Sequence, residues 1–227
     1  MFVQLPSRRR SGPPWSTLLV VAACVVAFLW LAALPATERL ALLTRWGTVP
    51  STLLDPNVPW WQQVLELRAV RLVTAIFFHA DWLHLTGNLL FLIVFGVPAE
   101  RALGSPRFLL IFIAGGALAN LVGALTLAGT NAPIIGSSGA VSAMVGAYLA
   151  LFPRARLGLV LPLGVFLEFV RIPAPLLIGF WAALQLLFTY VGPAFGAVAW
   201  WTHVAGFLIG IVLALLSRPA IARRLRS

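Results

Sequence analysis

The sequence predicts an all-α membrane protein whose chain crosses the bilayer as six helices. Of its 227 residues, 61% are hydrophobic and only 10% are charged, whereas a soluble domain carries about 25% charged residues. About 20 consecutive apolar residues span a bilayer as a helix, so the apolar content is sufficient for about six spans. The single cysteine, Cys24, excludes an intrachain disulfide and a cysteine-rich metal cluster.

Six apolar runs define the expected helices. In chain order they cover residues 15–34, 84–97, 108–127, 138–152, 175–190 and 200–216. The first follows three arginines and ends in small residues, as a signal peptide does, but its length of about 20 residues exceeds the roughly 7–15 of a secretory apolar region. We therefore expect a retained first helix. The fourth run is short and must begin inside the membrane, where only protein or trapped water can satisfy irregular backbone.

Residues 37–78 form a predicted long interfacial loop between the first two runs. Charged residues alternate there with Trp46, Trp60 and Trp61, and aromatic side chains beside charges are typical of the headgroup region. The chain shows no internal repeat and no second domain. The expected organisation is a basic cytoplasmic tail over 1–14, a membrane domain over 15–217 and a basic cytoplasmic tail over 218–227.

The positions of the arginines predict the orientation in the membrane. If the N-terminal tail is cytoplasmic and the spans alternate, twelve of the sixteen basic residues face the cytoplasm and four lie in the long outer loop. The inner twelve are Arg8, Arg9, Arg10, Arg101, Arg107, Arg154, Arg156, Arg171, Arg218, Arg223, Arg224 and Arg226. This asymmetry predicts a multi-pass protein of the inner or plasma membrane with both termini in the cytoplasm. It excludes nucleic-acid binding, because the arginines cap spans and form no basic stripe.

Four polar side chains inside the spans fall at one depth. Counted from the cytoplasmic ends at 1.5 Å per residue, Ser138 and His203 both lie about 22 Å up their helices. By the same count, Asn88 lies about 18 Å up and His84 about 24 Å. Polar and ionisable residues in hydrocarbon are expensive and indicate function. We predict that these four side chains share a water-filled cavity open to the outside.

Small residues predict close packing of two of these helices. Gly206 and Gly210 share a helix face with His203, and faces of this kind let two backbones approach closely. The run that begins at Ser138 carries small residues at matching spacing: Gly139, Ala143 and Gly146. We expect this contact to bring the Ser138 hydroxyl within hydrogen-bond reach of His203.

Serine and histidine in that position predict nucleophilic catalysis. A serine hydroxyl is a poor nucleophile until a base takes its proton, and a histidine in low-dielectric surroundings remains neutral and can accept it. His84, the Asn88 amide and the backbone N–H of Ser138 can stabilise the resulting oxyanion. None of the six carboxylates lies near His203 in the sequence. A Ser–His dyad is therefore a simpler interpretation than a triad.

At these residues the chain resembles the rhomboid family of intramembrane serine proteases. Four segments resemble the family's G-x-S-G, H-x-x-G-x-x-x-G, H-x-x-x-x-H-x-x-x-N and E-R-x-L-G motifs. They are, in that order, Gly136-Ser137-Ser138-Gly139; His203 with Gly206 and Gly210; His79 with His84 and Asn88; and Glu100-Arg101-Ala102-Leu103-Gly104. Each motif is weak alone, but four on the expected helices make a specific combination.

The resemblance implies a bacterial-type six-helix bundle that cleaves single-span membrane proteins in or near their transmembrane segments. It implies Ser138 as nucleophile, His203 as base, and His84 and Asn88 as oxyanion donors, with no metal or cofactor. It also assigns supporting roles to Gly136, Gly139, Gly206, Gly210 and His79. We expect His79 just outside its span, near the water. Rhomboids often have tryptophan where this chain has Val70. Some carry an aromatic residue at the position of Ser142, whose ring would stack on the catalytic histidine, and the loss of that ring is expected to lower the rate.

Several alternatives stay open at this stage. The first is a catalytically weak or silent rhomboid-like protein that binds transmembrane segments. A small-solute transporter is the second, although the paired broken helices of that class are missing. Three histidines allow a zinc site, but no H-E-x-x-H helix is present. We also interpret Asp81 as a solvated acid, Glu100 as a cap of its own helix, and Gln185 and Asn120 as interhelical hydrogen bonders.

Overall fold

A computed structural model describes residues 12–53, 57–59, 61–62, 68–163, 166–192 and 199–226. Five helices in these ranges are long and apolar enough to cross a membrane, and the prediction of a multi-pass membrane protein is confirmed. The α-helices are α1 (Trp15–Ala32), α2 (Ala36–Trp46), α3 (Pro50–Leu53), α4 (Arg71–Thr74), α5 (Trp82–Phe91), α6 (Val97–Leu103), α7 (Ser105–Thr126), α8 (Ser138–Leu151), α9 (Ala174–Val191) and α10 (Trp200–Arg226). Most of the expected N-terminal tail, including Arg8 to Arg10, lies outside the described residues. The expected C-terminal tail continues the backbone of α10.

The second long span is one continuous rod made of three pieces. A π-helical turn, Leu92–Gly96, joins α5 to α6. Pro98 lies at the start of α6, and its ring nitrogen has no hydrogen to donate to the carbonyl four residues earlier. The wider π-helical turn therefore lets the helix continue past Pro98 without that hydrogen bond. The span covers Trp82–Leu103 in all.

The all-α expectation is wrong between α8 and α9, where the chain forms a β-hairpin. Strand β1 (Arg156–Leu163) pairs antiparallel with β2 (Phe166–Pro173). Only two residues separate the strands, and one of them is glycine, which is a hairpin signal. A search for runs of about 20 apolar residues does not detect strands of this length. The mostly helical class stands, with one two-stranded sheet added to it.

The short helix α8 lies at the centre of the bundle. Every residue from Gly139 to Tyr148 is buried, and the helix packs against α7, α10 and the π-helical turn. In the other long helices, by contrast, one side faces outward with exposed leucine and valine side chains. Because α8 is surrounded by protein, its 14 residues need not match the thickness of the bilayer.

Glycines place α8 and α10 in direct backbone contact. A methyl group added to Gly206 would overlap the carbonyl oxygen of Gly139, and one added to Gly210 would overlap that of Ala143. From the opposite helix, a methyl group on Gly146 would overlap the carbonyl oxygen of Phe207. The absence of Cβ atoms at these positions therefore sets the distance between the helices.

The segment before α8 is anchored by the long first loop. Thr48 and Ile134 form an isolated antiparallel bridge, with N···O distances of 3.0 and 2.8 Å. Two residues later, the Gly136 N–H donates to the carbonyl oxygen of Ala75 at 2.9 Å. Gly136 has a φ of +112°, a backbone conformation that residues with a side chain rarely adopt. These contacts fix the turn that delivers Ser138 to the start of α8.

Glu100 joins the second span to the first, and this differs from the expectation that it caps its own helix. Its carboxylate accepts hydrogen bonds from the backbone N–H groups of Ser16 and Thr17 at 2.9 and 2.8 Å. It also accepts from the hydroxyls of Thr17 and Ser105, both at 2.7 Å. The residue is 3% exposed. Glu100 thus caps α1, whose first N–H groups lack partners within the helix.

Glu100→Ala is expected to lower the free energy of unfolding by about 3 kcal/mol, because it leaves two buried N–H groups of α1 without an acceptor. Titration of detergent-solubilised protein with SDS, followed by circular dichroism, measures this loss. The exposed Glu38 in the first turn of α2 provides the control. Glu38→Ala should cost less than about 1 kcal/mol. Equal losses in the two variants would contradict the role given to Glu100.

Gly206→Ala is expected to destabilise the fold by about 2 kcal/mol, because its methyl group has to displace the backbone of α8. Gly179 offers a matched control within α9, since nothing lies within 4 Å of a methyl group placed there. Gly179→Ala should stabilise the helix slightly, by about 0.5 kcal/mol. The same SDS titration compares the two variants. A stabilising Gly206→Ala would show that the helices do not need this close contact.

Candidate active site

The four polar residues that the sequence placed at one depth line a single cavity. His84, Asn88, Ser138 and His203 all border a cavity of about 740 Å³, which is otherwise mostly apolar. Helix α5 supplies the first two side chains, while α8 and α10 supply one each. The cavity is large enough to admit a peptide segment together with water.

Ser138 and His203 lie within hydrogen-bond distance of each other. The Ser138 Oγ atom is 2.9 Å from Nε2 of His203, although 65 residues separate them in the chain. Ser138 is the first residue of α8, so its hydroxyl lies at the helix N-terminus. The second ring nitrogen of His203, Nδ1, lies 2.7 Å from Oε1 of Gln185 on α9. The serine, the imidazole and the amide therefore form one hydrogen-bonded chain across three helices.

His84 and Asn88 line the same cavity. The Nδ1 atom of His84 is 3.4 Å from the backbone N–H of Ala80, which donates to it. In a neutral ring this leaves the proton on Nε2. A methyl group on Gly136 would lie only 2.5 Å from that Nε2 atom, so the glycine allows the ring to lie against the turn before Ser138. One N–H of the Asn88 amide donates to the His84 carbonyl oxygen at 2.8 Å.

Asp81 positions this pair, and the interpretation of it as a solvated loop acid is incomplete. Its Oδ1 atom accepts the backbone N–H of His84 at 2.8 Å, so Asp81 is the N-cap of α5. An N-cap aspartate satisfies one of the unpaired N–H groups at the start of a helix. The cap therefore stabilises the turn of α5 that carries His84.

His79 is buried beside the turn that precedes Ser138, and the expectation that it lies near water is wrong. It is 2% exposed, and its Nε2 atom lies 3.1 Å from the Ser137 hydroxyl. Its other nitrogen lies 3.3 Å from the carbonyl oxygen of Phe77. The His79 and His84 rings meet edge to face, with centroids 5.1 Å apart. His79 is therefore placed to hold the turn and does not border the cavity.

The zinc alternative finds no support in the arrangement of side chains. Within the described ranges, no three His, Cys, Asp or Glu side chains lie together in a geometry that could hold a metal ion. His203 is paired with an amide and a hydroxyl.

Comparison with known proteins decides the family. The family model of the rhomboid domain matches residues 66–220, which include every residue of the cavity discussed above. The chain belongs to the rhomboid family. This match confirms the resemblance that the four short motifs indicated.

Individual relatives of this rhomboid come from plants, animals and bacteria. Rhomboid-like protein 11, chloroplastic, of Arabidopsis thaliana is 33% identical over 172 residues, which are 74% of this chain and 56% of that protein. Human rhomboid-related protein 3 is 33% identical over 138 residues, 61% of this chain and 32% of the human protein. The rhomboid protease GluP of Bacillus subtilis is 31% identical over 147 residues, 64% of this chain and 26% of that protein. The match covers from about a quarter to just over half of each relative's length.

An aromatic ring does contact His203 in this rhomboid, despite the serine at position 142. The ring belongs to Trp200, one helical turn before His203, and the two rings meet edge to face at 5.7 Å. Phe188 of α9 stacks on Trp200 at 4.7 Å. Ser142 instead turns its hydroxyl back to the carbonyl oxygen of Ser138 at 2.7 Å. An aromatic side chain of α10 therefore lies against the His203 ring, although position 142 carries none. The spacing of three residues between Trp200 and His203 was the available signal, since residues at i and i+3 share a helix face.

The stability of this rhomboid should fall as the pH is lowered from about 6.5 to about 4. Burial, with a smaller contribution from neighbouring His84, lowers the pKa of His79 from 6.5 to about 4. Between these values the unfolded chain binds a proton at this position that the folded protein does not bind, so the free energy of unfolding decreases by about 3 kcal/mol. Above pH 6.5 the full stability is retained. In the His79→Gln variant, the free energy of unfolding should decrease less over this pH range than in the wild type. SDS titrations at several pH values measure both decreases, and equal decreases in the two proteins would contradict the role given to His79.

Proposed function

We propose that this rhomboid is an intramembrane serine endopeptidase that hydrolyses peptide bonds in or near transmembrane segments of membrane proteins. The 2.9 Å distance between Ser138 Oγ and His203 Nε2, at the border of a cavity of about 740 Å³, is the observation that carries the proposal. A hydroxyl and an imidazole at that distance can exchange a proton directly. Membership of a family that includes a protein named rhomboid protease supports it further.

The first half of the reaction forms an acyl-enzyme. His203 Nε2 takes the proton of Ser138 as Oγ attacks the substrate carbonyl carbon, and the carbonyl electron pair moves to the oxygen. When the tetrahedral species collapses, the C–N bond breaks and His203 returns the proton to the leaving amine. In the second half, water attacks the ester, His203 removes its proton, and Ser138 leaves with that proton restored. Substrate peptide and water are consumed, and two shorter chains result.

The oxyanion has donors on two sides. The backbone N–H of Ser138 lies at the N-terminus of α8, where the helix dipole favours negative charge. His84, with its proton on Nε2, and the second N–H of the Asn88 amide can donate from α5. Donors fixed before the reaction starts stabilise the developing charge without reorganisation. We assign His84 and Asn88 to this role.

Substrates of this enzyme would be single-span proteins within the lipid bilayer. The cavity is mostly apolar, and apolar walls suit a substrate segment that unwinds from a transmembrane helix.

For the topology, we propose cytoplasmic N- and C-termini in a bacterial-type inner or plasma membrane. The Nη2 atom of Arg218 donates to the Ala150 carbonyl oxygen at 2.5 Å. The arginine-rich ends of α8 and α10 therefore share one side of the bundle.

Ser138→Ala and His203→Ala are each expected to lower cleavage of a tagged single-span substrate at least about a thousandfold. The purified protein in detergent or proteoliposomes supplies the assay, and gel electrophoresis measures the product. Ser217→Ala is the matched control, because that hydroxyl only bonds back to Leu213 in α10.

A metal chelator should leave the rate unchanged, and activity should fall in acid as His203 becomes protonated and can no longer accept the serine proton. If wild type and both variants cleave alike, the proposal is wrong. If none of them cleaves but all bind the substrate, the chain is a silent rhomboid-like protein that binds transmembrane segments.

A further inference from the structure

The Gln185 side chain makes the second hydrogen bond to the imidazole of His203. Its Oε1 atom lies 2.7 Å from Nδ1, on the opposite side of the ring from Ser138. Neither Asp81, the acid that lines the same cavity, nor any other carboxylate among the described residues hydrogen-bonds to His203. Gln185 is the polar side chain that α9 contributes to the cavity lining. The position that a carboxylate fills in a Ser–His–Asp triad is here filled by a neutral amide.

A neutral imidazole carries one proton, and its position decides whether the ring can act as a base. An amide oxygen can only accept a hydrogen bond, so Oε1 of Gln185 selects the ring form with the proton on Nδ1. That form leaves the lone pair of Nε2 directed at the hydroxyl of Ser138. The other ring form would point an N–H at the hydroxyl and could not take its proton. A hydrogen bond to one ring nitrogen thus sets the chemistry of the other.

We propose that Gln185 is a positioning residue that holds His203 in the reactive ring form and orientation. This role rests on the proposed proteolytic function, since it serves proton transfer from Ser138. Trp200 limits rotation of the ring by edge-to-face contact, and Phe188 of α9 supports Trp200 in turn. Helix α9 therefore reaches the imidazole by two routes, one polar and one aromatic, and only the polar route distinguishes the two nitrogens.

Gln185→Leu should lower kcat about tenfold and leave KM unchanged, because substrate contacts stay and the fraction of correctly oriented base falls. Gln185→Glu keeps an acceptor of the same shape and should restore most of kcat. Its carboxylate favours the protonated imidazole, so the acid limb of the kcat/KM profile should move to higher pH. Thr189→Val, one turn further along α9, removes only a local bond to Leu186 and should match wild type.

The titratable residues that face His203 across the cavity are His84 and Asp81 on α5, and all variants keep both. From α8 and α9, Ser138 and Gln185 face the ring, and neither titrates near neutral pH. A shift seen in Gln185→Glu alone is therefore due to the new carboxylate. A merely structural tie between α9 and α10 predicts something else: lower thermal stability in Gln185→Leu, with kcat per folded molecule and the pH profile unchanged. That outcome would overturn the proposal.

Nitrogen-15 NMR of histidine-labelled protein tests the ring form without any substrate. The chain has three histidines, and the His203→Ala variant identifies which ring signals belong to His203. We expect the proton on Nδ1 in the wild type and a mixture of both forms in Gln185→Leu. A wild-type ring with its proton on Nε2 refutes the role of Gln185, whether or not the protein cleaves. A proton on Nδ1 without cleavage of any substrate refutes the proteolytic function and leaves the positioning geometry intact.

Discussion

The contact between the backbones of α8 and α10 is the constraint on which the rest of the structure depends. Three glycines, at positions 146, 206 and 210, leave no room for a methyl group against the facing helix. Only at this separation does a residue on the first turn of α8 meet one on the first turn of α10 within hydrogen-bond distance. In a bilayer, hydrophobic attraction does not hold helices together, so tight van der Waals contact and interhelical hydrogen bonds must do so. The same feature that stabilises the bundle therefore sets the distance between Ser138 and His203.

Polar groups inside the bundle fall into two kinds that are easily confused in the sequence. One kind forms hydrogen bonds with backbone groups. Glu100 caps α1, Asp81 caps α5, and the Asn120 amide donates to the Leu72 carbonyl oxygen at 2.9 Å. The other kind lines the cavity. Ser137 with His79 and Ser138 with His203 show the difference within two consecutive residues, since the first pair is sealed in protein and the second faces the cavity. Because unsatisfied polar groups are costly in hydrocarbon, nearly every polar residue in a span has a partner, and only the surroundings of that partner indicate its role.

Much of the site followed from counting residues. The rise per residue of a helix placed Ser138, His203, His84 and Asn88 at one level, and the structure brings them to one cavity. The hairpin was not predicted, because strands of eight residues are too short to resemble a transmembrane helix. Contacts between side chains of neighbouring helices were not predicted for a different reason. Counting residues gives the height of a residue along its helix, but not the rotation of the helix about its axis. It could therefore not show that Gln185 meets Nδ1 of His203, that Trp200 contacts the His203 ring, or that His79 is buried.

The order of the three hydrogen-bonded residues along the chain has a consequence for biosynthesis. Ser138 is synthesised first, Gln185 next and His203 last, on the helix nearest the C-terminus. A ribosome that has inserted the spans as far as α9 has therefore made Ser138 and Gln185, but not the imidazole that lies between them. The hydrogen-bonded chain forms only after α10 enters the membrane and docks against α8. Under the proposed function, a partly translated chain therefore has no base for Ser138, and insertion of α10 is the step that completes the site.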